Sequence, residues 1–135
     1  MAQHFGDSID QAAFSQILEL DESPENREFS KALVYDYFTQ AKDTFANMDN
    51  ALEAKDLNKL SELGHFLKGS SAALGFVRVR DHCQAIQQYG KKLTLDGSPE
   101  NNEQACLERI TDALKAAKSS MATVEEKMNS FFGAS

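Results

Sequence analysis

The sequence predicts an all-α protein, an antiparallel up-down-up-down four-helix bundle with an additional short N-terminal helix. Three observations carry that expectation. Apolar residues recur at three- and four-residue spacing through nearly the whole chain, the period of an amphipathic helix. Gly75-Phe76-Val77-Arg78-Val79 is the one stretch with strand character, and it is too short and isolated to build a sheet. The breaks between helical stretches are short, which favours antiparallel neighbours.

The first helix is expected over about Ser8 to Leu20, with Ile9, Phe14, Ile17 and Leu18 among its apolar positions, broken by Asp21-Glu22-Ser23 and packed across one end of the bundle. Ser23-Pro24 reads as the start of the second, with serine as N-cap and proline at the first helical position. Phe29, Leu33, Val34, Tyr37, Phe38, Ala41, Phe45 and Met48 then make a broad apolar face, which fades near Asp49-Asn50 or runs on to about Ala54. Asp56 caps a third helix that ends near Gly75. A fourth runs from about Arg78 to Leu93, with Val79, Cys83, Ile86, Gly90 and Leu93 inward. Asp96-Gly97 signals a turn, and Ser98-Pro99 repeats the serine–proline start. In the last helix Leu107, Ile110, Leu114, Ala117, Met121, Val124, Met128 and Phe131 alternate at three and four. Such a seam suits a free coiled coil, but beside other amphipathic helices it reads as a bundle helix.

At 135 residues, 41% hydrophobic and 26% charged, the chain is expected to form one domain, residues 1–135 with a core of about 8–132. A formal charge of −7 argues against nucleic acid, whose phosphates need basic patches. No run of about 18 apolar residues exists, so no membrane span is expected. The opening MAQHFGDSID lacks a basic-then-apolar signal pattern, and the expected place is inside the cell. Cys83 and Cys106 are expected as buried thiols rather than a disulfide. His4 falls in a terminus expected to be disordered, and His82 lacks further ligands at metal spacing.

His65 is the candidate centre of chemistry. On a helix, Leu57, Leu60, Leu63, Leu67 and Leu74 cluster within roughly 120° of arc, and His65 lies about 160° from their centre. Most lone histidines on a polar helix face are plain solvated surface. Gly69 argues for more, because glycine inside a helix costs about 1 kcal/mol relative to alanine and here clears space one turn from the imidazole. Lys68 lies at i+3, within reach of the same region. An exposed imidazole, a nearby cation and a missing side chain suit a nucleophile that receives a phosphoryl group. The chain has no Gly-rich nucleotide loop and no evident carboxylate cluster for Mg²⁺, so it is not expected to phosphorylate itself from ATP and is not read as an enzyme.

The run Leu63 to Gly75, LGHFLKGSSAALG, resembles the signature of histidine-containing phosphotransfer (HPt) proteins, most closely their stand-alone fungal type. Phe29-Ser30-Lys31-Ala32-Leu33, Cys83, Ile86-Gln87 and Gly90-Lys91-Lys92 also fall where that family places similar residues, so the resemblance covers roughly 9 to 132. It implies that His65 accepts a phosphoryl group from a receiver-domain aspartate of a hybrid sensor kinase and passes it to a response-regulator receiver. It implies no cofactor on this chain, Mg²⁺ on the receiver partner, and a cytoplasmic location with the nucleus left open. Lys68 would offset phosphate charge. Gln87 and Lys91 match positions beside the active histidine, where Gln87 would fix the imidazole tautomer and Lys91 would add a cation in place of the more usual arginine. Ile17, Phe29, Leu33 and Phe76 would join Gly69 in docking the receiver, although from sequence alone each suits core as well as interface. Ser71 reads as close packing, and Ser70 as either structural or supporting.

Two other readings compete. A helical adaptor without chemistry would need neither Gly69 nor Lys68 beside an exposed imidazole. A di-iron bundle needs Glu-x-x-His pairs on facing helices, and Glu62-x-x-His65 occurs once and faces outward. A self-contained bundle is expected to be a monomer.

Overall fold

A computed structural model of the chain describes residues 6–133, so His4 lies outside the described part. A short 3₁₀ turn, Gly6–Ser8, leads to α1 (Gln11–Leu18), α2 (Glu28–Glu53), α3 (Leu57–Ala73), α4 (Val77–Gly90) and α5 (Glu103–Phe132). No β-strand is present among the described residues.

The long helices form a closed cycle, with α3 against α2 and α4, and α5 against α4 and α2. Their directions follow from paired positions. A Cβ on Gly64 would meet Cys83 and Gln87, and one on Gly90 would meet Leu57 and Ser61, so α3 and α4 run antiparallel. Lys42 bonds Glu125 and Asp49 bonds Lys118, so α2 and α5 do likewise. The interior is one contiguous cluster containing Leu60, Leu67, Ile86, Ile110, Val124 and Met128. Cys83 and Cys106 are buried free thiols, and burial pushes the Cys83 thiol up to about 12.

Local chemistry sets the helix ends. The Asp56 side chain accepts the Lys59 N–H at 3.0 Å and starts α3, as expected. Both serine–proline starts are corrected. Ser23 pairs with Asn26 in a turn, and α2 begins at Glu28. Pro99 pairs with Leu93 in a hairpin-like connection, and α5 begins after Asn102, whose side chain accepts the Ala105 N–H at 3.1 Å. In α2 the free amides of the first turn go to Asn26 and Asp21, and in α5 to Asn102, not to the serines. The first helix is likewise shorter than expected, because Asp10 caps it at Ala12 and Ala13. α4 ends at Gly90, and Leu93 belongs to the connection.

α3 stops at Ala73 because Gly75 adopts φ +81°. A Cβ there would lie 2.8 Å from the Asp10 carbonyl, and the Gly75 carbonyl accepts the Asp10 N–H at 2.7 Å. The α3–α4 turn therefore seats α1, whose Phe14 is buried against Phe76, Phe131 and Phe132.

Candidate functional site

His65 stands on α3 with its side chain exposed, opposite the buried Leu60 and Leu67. What lies beside it is set by the closeness of α3 and α4. A Cβ on Gly64 would come within 2.9 Å of the Cys83 carbonyl oxygen and the Gln87 amide nitrogen, so only glycine lets the backbones approach this far. Gly90 plays the same part against Leu57 and Ser61, where an added Cβ would lie 2.7 Å from the Ser61 nitrogen. The result is that Gln87, only 8% exposed, reaches the imidazole, with Nε2 at 3.3 Å from His65 Nδ1. The Gln87 Oε1 is buried without a hydrogen-bond partner. Because Nδ1 faces Gln87, Nε2 is the ring nitrogen left to react.

Lys68 is half-buried on the next turn, and its Nζ donates to Gln84 Oε1 at 2.9 Å. Gln84 did not figure in the sequence reading. Its signal was present, since Gln84 and Gln87 sit at i and i+3 on one face of α4. Gly69 is exposed, and a Cβ there would meet nothing within 4 Å. Lys91 is exposed at the end of α4 and lines a hollow with Lys55, Asp56, Leu57 and Asn58, and no hydrogen bond or ion pair joins it to His65. The structure thus brings His65, Gln87, Lys68 and Gly69 together and sets Lys91 towards the far end of α3.

The expected docking residues divide. Phe29 is 53% exposed and Leu33 36%. Ile17 is half-buried and shares with Leu33, Tyr37, Ser70 and Ala73 a mostly apolar hollow of about 310 Å³ between α1, α2 and α3. Phe76 is corrected: it is fully buried, its ring 5.1 Å from Tyr37 and stacked on Phe38. The outward projection required α3 to continue that far, and Gly75 turns the chain inward first. Leu20, 60% exposed, lines a hollow with Phe29, and Phe66 on α3 is also exposed, at 49%. Phe66 was readable as a large apolar residue off the leucine stripe, whereas Leu20 depends on where the α1–α2 connection runs. Ser71 is buried and hydrogen-bonds the Tyr37 hydroxyl at 2.6 Å, and Ser70 bonds back to the Phe66 carbonyl.

Among the described residues no group of three or more His, Cys, Asp or Glu converges as metal donors would. His82 is half-buried, and desolvation lowers its pKa against an opposing pull from Asp81. No helix among the described residues is long and apolar enough to cross a membrane.

Comparison with known proteins agrees with this geometry. Residues 32–120 match the profile of the Hpt domain. The chain is 50% identical over 107 residues to multistep phosphorelay regulator 1 of Schizosaccharomyces pombe, covering 78% of this chain and 36% of that protein. It is 47% identical over 88 residues to phosphorelay intermediate protein YPD1 of Candida albicans, covering 65% of this chain and 47% of the relative. It therefore spans about half or less of the length of these relatives. Among solved structures, its fold superimposes with a TM-score of 0.82 and 28% identity on the Saccharomyces cerevisiae histidine phosphotransfer signaling protein Ypd1, co-crystallised with the receiver domain of its downstream response regulator Ssk1, covering 94% of this chain and 95% of that one.

Proposed function

The chain belongs to the Hpt-domain family, and from that premise we propose that it is a phosphocarrier whose His65 takes a phosphoryl group from a receiver aspartate of a hybrid kinase and delivers it to a response-regulator receiver. One observation carries the reading at the level of chemistry. His65 is exposed on its Nε2 side while a buried glutamine faces its Nδ1. A surface histidine with no task has no need of a buried amide that leaves its own oxygen unpaired.

In the forward step the Nε2 lone pair attacks the phosphorus of an aspartyl phosphate. The N–P bond forms as the P–O bond to aspartate breaks, and the carboxylate leaves with that electron pair. The ring proton stays on Nδ1. The resting geometry places the Gln87 NH₂ towards Nδ1, which suits the opposite tautomer. Half a turn of the amide brings Oε1 to accept Nδ1–H and frees Nε2 to attack. Lys68, held by a neutral acceptor, can turn its ammonium to the phosphoryl oxygens. Because the transition state is loose, positioning and charge stabilisation do most of the catalysis. The receiver's acidic pocket and its Mg²⁺ supply the rest, and this chain takes no phosphoryl group from ATP itself. Ile17, Leu20, Phe29, Leu33 and Phe66 form the apolar contact around the open surface at Gly69. A monomer in the cytoplasm, with access to the nucleus, fits a carrier between hybrid kinase and regulator.

The test mixes the protein with a phosphorylated receiver and follows the label beside His65→Gln. Acid-labile, alkali-stable label on the wild type and none on the variant is the expected result. Labelling of both would move the site off His65, and labelling of neither by several receivers would leave an adaptor.

A further inference from the structure

The α1–α2 connection contains a buried ionic clip. Asp21 has a fully buried side chain, although its neighbours Leu20 and Glu22 are exposed. Its carboxylate accepts the Ser30 backbone N–H at 2.8 Å and the Ser30 hydroxyl at 2.7 Å. Ser30 is itself completely buried. Arg27 reaches the same carboxylate at 3.4 Å and also donates to the Leu18 carbonyl, at the end of α1, at 3.3 Å. Arg27, the residue before α2, makes no capping bond with its own side chain. Asp21, nine residues before Ser30 in sequence, thus caps the Ser30 amide of α2 while Asn26 accepts the Glu28 N–H, and the same network ties down the last turn of α1. Desolvation raises the Asp21 pKa, but the Ser30 bonds and Arg27 outweigh it and hold the carboxyl below its ordinary range.

The clip lies between the two halves of the apolar patch. Leu20 precedes Asp21 and Phe29 precedes Ser30, and these two exposed side chains line one hollow. Ile17 and Leu33, one turn away on either side, line the next. A connection this exposed would otherwise let α1 and the start of α2 slide past each other. Resting on the phosphocarrier reading, we propose that Asp21, with Ser30 and Arg27, is a positioning residue for receiver docking: it holds Ile17 and Leu20 in register with Phe29 and Leu33, and so sets affinity for the receiver without touching the phosphoryl group.

The experiment measures phosphotransfer from a phosphorylated receiver to wild type, Asp21→Asn and Ser30→Ala at varied receiver concentration, and in parallel labels His65 with phosphoramidate, a donor too small to need the patch. Thermal unfolding and far-UV circular dichroism accompany each variant. Asp21→Asn is expected to raise the receiver KM about tenfold, corresponding to about 1.4 kcal/mol of docking, with kcat and phosphoramidate labelling unchanged. Ser30→Ala, which loses one of the two Ser30 bonds, is expected to move KM the same way by less. Asp49→Asn, which breaks only the exposed pair with Lys118, should leave KM where it was. Should Asp21→Asn fail to fold, Ser30→Ala decides. An unchanged KM in a folded variant overturns the proposal, and so does a parallel fall in receiver and phosphoramidate labelling, because that would put Asp21 on the His65 chemistry. If wild type takes phosphoramidate label but none from any receiver, the phosphocarrier reading itself has failed, and the clip's role in docking goes with it.

Discussion

The two flanks of α3 are built by different means. On the α4 side, Gly64 and Gly90 bring two backbones so close that no side chain fits between them, and Gln87 reaches His65 from a fixed position. On the α1–α2 side, large apolar side chains stand out in solvent above a turn pinned by the buried Asp21 carboxylate and by Arg27. On the proposed reading, the first flank would serve a reaction that depends on the placement of a ring nitrogen. On the same reading, the second would be a surface that takes up and releases partners, which would account for its exposed apolar area. Backbone contact fixes the first flank, and a side-chain clip fixes the second.

The largest expected effect separates core from patch on this second flank. Phe76→Ala removes a ring packed against Phe14, Tyr37 and Phe38 and should destabilise the fold by about 3–5 kcal/mol. Phe29→Ala removes an exposed ring and should change stability by less than about 0.5 kcal/mol while weakening receiver binding. Denaturant titration of both variants, with receiver affinity measured for the second, checks the division. Equal losses of stability would mean that Phe29 is part of the core and that the patch begins elsewhere.

That division marks where sequence reasoning stopped. The outward direction of His65, the inward stripes of α3 and α5, the Asp56 cap and the Gln87 contact all follow from local periodicity or from the family resemblance, and the structure bears them out. Phe76 and the two serine–proline starts did not come out as expected, for one shared reason. Each lies at a chain reversal, where a group distant in sequence decides the outcome: Asp10 against Gly75, Asp21 on Ser30, and Leu93 beside Pro99. Local propensity names the residues able to cap a helix, but tertiary contact chooses among them.

An intermediate effect tests the rigid flank. In Gly64→Ala the new methyl group would meet two backbone atoms of α4 at 2.9 Å, and backbone yields less readily than the end of a side chain. The expected loss is about 1–3 kcal/mol of stability. Because the same shift carries Gln87 away from Nδ1, phosphoramidate labelling of His65 should slow as well. Labelling at the wild-type rate in a destabilised Gly64→Ala variant would show that the close approach serves packing alone.

The smallest effect on stability has the opposite sign. Gly69 lies inside α3 where a Cβ would touch nothing, so Gly69→Ala should stabilise the helix by about 1 kcal/mol, and Gly69→Met by a similar amount. On the proposed reading, a position that gives up that much stability with no packing reason within the molecule would be kept open for the receiver. The two variants separate steric access from helix stability, since they share the gain in helix propensity but differ in bulk. Receiver-dependent transfer should therefore fall from wild type to alanine to methionine, while the thermal midpoint rises in both variants and phosphoramidate labelling stays level. If transfer instead follows the thermal midpoint, the glycine acts through flexibility of α3. If it follows side-chain size, the receiver passes over Gly69 on its way to His65.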